Sequence, residues 1–587
     1  MAAGRELPIF GSYDKQRFQQ FNPEDCANWY VVPNEKAKKK AAMYPTMGRR
    51  HISLLGLNKL IFDVEPRAVF RSRKYSYYVS GNKIIRADEF LNQITISTSD
   101  FTKVNGNVWF AVLYTPTLTY AAFTDGTKMY VHTEETGAFD VITDPKLPPN
   151  PTYIAAFGNR FVVSSANSTQ FNLSLINLGA VPLDPATCFT LSGNAIFAQE
   201  DGIIRQMAVN QNILYIFTDF TTGIWANIQS TVTSPAGVQS AFPFKKNSSF
   251  QFQYGISDPL SLSVDFGIMV WLGQTQSGLT QVVASSGQAP QPISTKAIDV
   301  LFQSSASASG LSPFVEFDAD GFLFQYENTV FYRLSAGQYQ GLQQLDIQTR
   351  ANAIEYNFDT KQWYRVIELN GERNRIKKHI YFSNRHLVTV QDDSTVYEMS
   401  GRFYDNEIRN PDQDNPLLED AYIRQPFRYE RVTPIIAEPD YSEFETQWLQ
   451  IDFVWGDQTF IRSDMPFENA EFITDEDGNY IIDEEDVNGN PVYMITEHSN
   501  VPTAHSKTYF DLFKPHIELY FSDDGGITYS PADVLQFSDL GIYSWRMRWY
   551  QLGCSRNRVY KLICVSPAPI VILGGWHLTR RVSGGAA

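Results

Sequence analysis

Between residues 61 and 400 one unit keeps returning: an apolar strand, a tight polar turn, and a second apolar strand. The copies are YYVSGNKIIRA around Asn82, AAFTDGTKMYVHT around Gly126, IAAFGNRFVVSS around Asn159, MAVNQNILYIFTD around Asn212, VEFDADGFLFQY around Gly321 and IYFSNRHLVTVQDD around Asn384. Gly-Asn, Asp-Gly and related pairs accept the positive φ of a two-residue hairpin turn. Alternation on either side marks half-buried strands. Apart from the longer gap between Asn212 and Gly321, the copies recur roughly every 35 to 65 residues, which brackets the blade length of a β-propeller. Asp359 to Val366, DTKQWYRV, adds an acidic turn leading into a Trp, as outer blade strands do. The expectation is an all-β chain whose residues 61–400 form a propeller of about six blades, with seven as the alternative.

A chain of 587 residues is too long for one core. Aromatics at 14% favour pleated, half-buried surfaces over helices. Residues 1–60 lack alternation, are broken by Pro23, Pro33 and Pro45, and carry a basic cluster: Lys36, Lys38, Lys39, Lys40, Arg49 and Arg50. This predicts an extended arm lying on its own body or on a neighbour, with the basic cluster as an interaction site. Residues 401–423 read as a charged linker. Beyond it, Leu449, Ile451, Phe453 and Trp455 share one face of a strand, and His516–Phe521, Trp545–Trp549 and Val559–Val565 continue the pattern. Residues 401–456 and 514–580 are therefore expected to form a β-sandwich, with 581–587 a flexible tail. The sandwich is interrupted at 457–513, where no Lys or Arg lies between Arg462 and Lys507; this predicts a protruding acidic hairpin excursion.

The net charge of −16 argues against tight non-specific DNA binding, which needs Lys and Arg for phosphate contacts. It leaves open a passive channel that DNA slides through. Cys26, Cys188, Cys554 and Cys564 are too sparse for a disulfide scaffold and show no metal-ligand spacing. The start, MAAGRELPIFGS, has no apolar signal core, and no apolar run is long enough to span a bilayer. The chain is expected to fold in a reducing cytosol, stay soluble and make no membrane insertion.

No catalytic, cofactor or metal site is expected. Asp475, Asp477 and Asn479 suggest a calcium loop, but its sixth position is Tyr480 where glycine is needed. His379 and His386, like His498 and His505, are seven apart and do not form a local ligand pair. GxSxG, Walker and GxGxxG motifs are missing. The turn SDDGGITY matches the Asp-box pattern, with Ser522, Asp524, Gly526 and Thr528 as structural turn residues. Asp boxes occur in sialidases, where they are structural; this leaves a glycan-binding or sialidase-like propeller as the alternative.

One order of motifs runs through the C-terminal half. It begins with R-x-T-P (Arg431, Thr433, Pro434), a strand ending at Gly456, and S-D-D-G-G-x-T. Then come Gly541 and Tyr543, Arg546 and Trp549, L-G-x-x-R-x-R (Leu552, Gly553, Arg556, Arg558) and a final P-x-x-I strand. In this order the chain resembles the tail hub, or nozzle, proteins of short-tailed bacteriophages, also described as packaged-DNA stabilisation proteins. DGIIRQMAVNQNILYIFTDFTTGIW, GQAPQPISTKAIDVLF and the opening NWYVVPNEKAKKKAAMYPTMG are similar to segments of the same family. The resemblance implies a non-enzymatic virion protein, assembled in the host cytoplasm as a six-fold homo-oligomeric ring below the portal and adaptor proteins. Such a ring prolongs the DNA channel, closes it with a plug or needle, lets double-stranded DNA pass without specific binding, and docks tail fibres or spikes. The insertion at 457–513 departs from the family pattern.

Overall fold

The computed structural model describes residues 5–34, 40–54, 57–58, 60–97, 101, 103–177, 182–191, 193–228, 242–247, 250–307, 318–337, 352–410, 421–455, 482–485, 491–493, 515–537 and 544–582. The fold is all-β, with a propeller and a β-sandwich; among the described residues one α-helix, Lys296–Ser307, lies against the fifth blade.

Five blades are separate antiparallel sheets, opening with the strands Pro66–Arg71, Trp109–Tyr114, Pro151–Phe157, Ile204–Asn210 and Gly255–Ile256. Two more four-stranded arrays belong to a 14-stranded sheet shared with the sandwich. The sixth comprises Asp318–Tyr326, Thr329–Gly337, Asn352–Asn357 and Gln362–Arg365. The seventh comprises Ile376–Phe382, Arg385–Val390 and Val396–Ser400, and Gly48–His51 supplies its outer strand. The ring closes where Ile376–Phe382 packs on Pro66–Arg71, with Tyr78, Leu387 and Val396 in one shared core. An N-terminal strand thus fastens the last blade ahead of the first. Across the axial opening, Arg71 of blade one pairs with Asp265 of blade five at 3.5 Å and donates to the Tyr381 carbonyl of blade seven at 2.9 Å.

Five of the six hairpin turns read in the sequence are turns, with positive φ at Gly81, Gly126, Gly158, Asn159, Gln211, Asn212, Ser383 and Asn384. The sixth is not. Gly321 sits inside the unbroken strand Asp318–Tyr326, opposite Leu334, and the turn falls at Glu327 and Asn328. Glycine is needed at 321 because a Cβ there would strike the Ser261 carbonyl and the Tyr332 hydroxyl. The count of about six becomes seven because blade five went unread between the copies at Asn212 and Gly321. Its two-residue turn is Phe266–Gly267, with φ of 52° and 73°, between the short strand Ser263–Asp265 and Ile268–Gln274, and the loop on to Thr280–Ser285 is longer, with Gly278 at φ 80°.

The sandwich packs two sheets around Trp29, Tyr429, Leu449, Ile451, Phe453, Tyr560, Leu562 and Ile572. One sheet runs Trp29–Pro33, Ala41–Pro45, Ile570–Arg581, Phe444–Trp455, Ser544–Tyr550. The other contains Asp25–Ala27, Tyr422–Val432, Val559–Ser566, His516–Ser522 and Asp533–Gln536. The N-terminal residues are extended and lie on their own body, where they are integral strands of the sandwich. Apolar residues between the prolines explain this: Leu7, Ile9, Cys26, Trp29 and Met43 are all buried in the sandwich core. The segment read as a linker also contains a paired strand, Asp405–Arg409, hydrogen-bonded to Tyr422–Val432. Within the acidic excursion, Ile482–Glu485 and Pro491–Tyr493 pair as a hairpin; the rest of 457–513 lies outside the described residues.

Candidate interaction site at the propeller–sandwich joint

Three chain segments meet at Asp25–Ala27. This strand pairs antiparallel with Tyr422–Val432 of the sandwich and, at Ala27, parallel with Arg365 of blade six. The next residue, Asn28, is fully buried with a left-handed backbone at φ 57°. Its Nδ2 donates to the carbonyls of Ile367 and Arg428, both at 2.8 Å, and its Oδ1 accepts from Ile367 N at 3.0 Å. One amide therefore ties the N-terminal segment, the propeller and the sandwich together.

Charge reinforces the joint. Arg365 forms a bidentate pair with Asp25, 2.8 Å on each arm, and reaches Glu430 at 2.9 Å; Arg428 holds the other Glu430 oxygen at 2.8 Å. Burial alone would raise the Glu430 pKa, but Arg365, Arg428 and Lys561 outweigh it and hold the carboxyl below its ordinary value. Arg431, fully buried, donates to the carbonyls of Ile9 and Asp25 and pairs with Glu24 at 2.9 Å.

The basic cluster expected at the N-terminus divides. Lys36, Lys38 and Lys39 lie outside the described residues, while Lys40 is exposed beside a hairpin whose Asn34 N donates to its carbonyl. Arg49 and Arg50 are not on the surface. Arg49 is fully buried and pairs with Glu368 at 2.7 Å; Arg50 forms a bidentate pair with Asp405 at 2.9 and 3.1 Å. Both sit on the strand that closes blade seven, where consecutive side chains face opposite ways, and both are buried because each face is covered, Arg49 meeting Glu368 and Arg50 meeting Asp405. Their neighbour His51 pairs with Glu407 at 2.5 Å, and this contact holds the Glu407 carboxyl down against its burial.

The Asp-box residues gather in one turn between His516–Ser522 and Asp533–Gln536. Ser522 Oγ donates to Asp524 Oδ1 at 2.7 Å and accepts from Gly526 N at 2.9 Å. Asp524 also accepts from Ile527 N, Thr528 N and Thr528 Oγ1, at 2.9, 3.0 and 2.6 Å. The Thr528 and Ser522 bonds drive its carboxyl well below the usual range. Gly525 and Gly526 supply φ of 78° and 95°. Asp523 pairs with the buried Arg558 at 2.7 Å, and Arg558 donates to the Leu552 carbonyl, so two parts of the motif order meet.

Other candidate residues resolve as follows. His379 and His386 do come together, Nε2 to Nδ1 at 3.0 Å, because a two-residue hairpin brings residues seven apart onto neighbouring strands. Burial, then the facing His386, keeps His379 neutral far below its ordinary pKa. Cys26, Cys188 and Cys564 are buried, Cys554 is exposed, and all four are free thiols. Among the described residues no three His, Cys, Asp or Glu side chains could hold one metal ion, and no helix is long and apolar enough to cross a membrane. Asp475, Asp477 and Asn479, and His498 and His505, lie outside the described residues. Sequence reading missed Asn28, Asp25, Arg365 and Glu430 as joint residues. The signal available was the N-W-Y opening and the R-x-T-P start, which the fold brings side by side.

No protein-family model and no curated protein matches this chain. Among solved structures it is similar to the "Streptogramin B lyase structure" at 10% identity, covering 59% of this chain and 97% of that one with a TM-score of 0.31. It is also similar to the WD40 domain of Neurospora crassa Pan2 at 7% identity, covering 61% and 94% with a TM-score of 0.33. A third is the Cps50 (Swd1) β-propeller domain of Myceliophteria thermophila, at 10% identity, 64% and 99% coverage and a TM-score of 0.29.

Proposed function

We propose that this chain is a structural, non-enzymatic component of a short bacteriophage tail. In this reading it forms a six-fold ring below the portal and adaptor, extends and helps close the DNA channel, retains the packaged genome and docks fibres or spikes. It acts in the virion after assembly in the host cytoplasm. The observation that carries the reading is where the motif residues lie. Asn28 and Arg431 fall at the buried joint, while Leu552 and Arg558 brace the Asp-box turn of the same sandwich. A hydrogen-bonded, charge-paired joint between two β-modules suits a conduit wall whose work is contact. Arg71 and Asp265 bridge the propeller axis, so the duplex would run along the axis of the ring of copies and not through the propeller. Asp524 engages both its oxygens within its own turn, the structural use of an Asp box that a glycan-binding propeller would share, so this turn favours neither reading.

Electron microscopy of the purified chain, with mass spectrometry of purified virus particles, tests the reading. The expected result is six-membered rings with an open centre and the chain present in particles. A monomer that releases sugar from a glycan, or absence from particles, overturns it.

A further inference from the structure

Residues 14–24 form a pinned loop. Asp14 N donates to the Glu24 carbonyl at 3.1 Å and Gln16 N to the Asn22 carbonyl at 2.9 Å. The Asp14 carboxylate accepts from Gln16 Nε2 and Asn22 Nδ2 at 2.8 and 2.9 Å, and Phe21 N closes the apex onto the Phe18 carbonyl at 2.9 Å. The loop sits directly on the Asp-box turn: a Cβ at Gly525 would lie 3.2 Å from Gln20 Cα, and one at Gly526 would lie 2.8 Å from Pro23. This rigid base holds Phe21 out at 81% exposure, Phe18 at 73% and Ile527 at 57%. Lys15 and Arg17 are exposed beside them. The neighbouring carboxylates are already engaged: Asp14 as above, Glu24 with Arg431, Asp523 with Arg558, and Asp524 within its turn. A tip that is apolar and cationic therefore stands on a chain of net charge −16. Aromatic side chains pre-ordered in solvent, flanked by a cation, are the chemistry of an interface anchor.

The complementary chemistry lies in the same sequence. Residues 463–506 contain eleven Asp and Glu and no Lys or Arg, interleaved with Phe467, Phe472, Ile473 and Tyr480. Both roots of that segment are at one end of the sandwich, where Trp455 stacks on Phe537 and Phe537 N donates to the Pro515 carbonyl. The tip is at the other end of the strand His516–Ser522, about 20 Å away. The acidic segment leaves the sandwich at one end of that strand and the tip stands at the other, an arrangement suited to head-to-tail contact between copies, which closes into a ring where the rotation between copies allows. We infer that the tip formed by Lys15, Arg17, Phe18, Phe21 and Ile527 receives the acidic segment 463–506 of a second copy. The inference rests on the ring reading above and names the contact that builds the ring.

A photo-reactive phenylalanine at position 21 of the full chain tests it, with light and heavy nitrogen-labelled copies mixed. The expected crosslinks join position 21 of one copy to residues 463–506 of the other isotope, and weaken in 1 M salt. Phe18→Ser with Phe21→Ser is expected to raise the concentration needed for association about tenfold or more while leaving the melting temperature unchanged, because both rings are solvent-exposed. Crosslinks within one copy, to lipid or to another protein overturn the inference, as does undiminished association of the double variant. Rings that persist in that variant leave the tail reading standing; a wild-type chain that never associates overturns both.

Discussion

At Asn28 a single side chain works against its own backbone preference. Left-handed φ costs most residues about 1 kcal/mol or more, and Asn tolerates it best after Gly. Here the position also delivers three buried hydrogen bonds to two other modules. Asn28→Gly keeps the backbone geometry and removes only those bonds, so it is expected to cost roughly 3 kcal/mol in denaturant unfolding. Asn28→Ala adds the backbone strain, about 1 kcal/mol more. His132 offers a residue-scale prediction in pH. Burial first, then Arg86, pushes it down to about 4 from an ordinary 6.5, and its Nδ1 lies 3.1 Å from the Tyr77 hydroxyl. With the folded pKa depressed, the unfolded chain binds the extra proton between pH 6.5 and 4, and stability is lost as pH falls through that window. In thermal melts the wild-type curve is expected to fall more steeply there than that of His132→Gln.

At the scale of elements, the strand Gly48–His51 has the greatest leverage for its length. It completes blade seven through pairs such as Gly48 with Ser400, and it meets the sandwich-bound strand Asp405–Arg409 at Arg49. A Cβ at Gly48 would lie 2.5 Å from the Phe403 carbonyl oxygen and would also strike that of Asp405, both backbone atoms that cannot swing aside. Gly48→Ala is therefore expected to cost about 2–3 kcal/mol, measured as a shift in denaturant midpoint. Deletion of residues 1–51 removes this strand together with Trp29, Met43 and the Asn28 bonds. It should yield insoluble or molten protein; a soluble propeller with native near-ultraviolet circular dichroism would contradict that.

For the whole molecule, the question is whether propeller and sandwich melt together. The joint is continuous sheet, a buried amide and paired charges, so one calorimetric transition is expected. Asp25→Ala leaves the Arg365 guanidinium with only Glu430 in a largely buried site, a loss of about 3 kcal/mol or more at the joint. That variant is expected to melt in two resolved steps, the sandwich separating from the propeller. Retention of a single transition would mean that the modules are coupled by something other than these pairs.

How much the sequence alone could determine follows from the range of each signal. Hairpin turns are local: Gly-Asn, Gln-Asn or Ser-Asn between alternating strands accepts a positive φ whatever lies elsewhere, and so the blades around Asn82, Asn159, Asn212 and Asn384 could be read directly. The alternation of Leu449, Ile451, Phe453 and Trp455 and the self-contained bonds of Asp524 are local in the same way. Gly321 shows the limit, because its reason for being glycine is a carbonyl from Ser261 some sixty residues away in sequence. The fates of Arg49 and Arg50 show it too. A run of cations reads as an exposed interaction site until long-range pairing sets Glu368 and Asp405 against it, more than three hundred residues along the chain. Local pattern is thus enough to write down most strands and their turns. Which charges are buried, and that Trp29 and Met43 belong to the sandwich, follows from long-range packing, because burial depends on partners that no local spacing encodes.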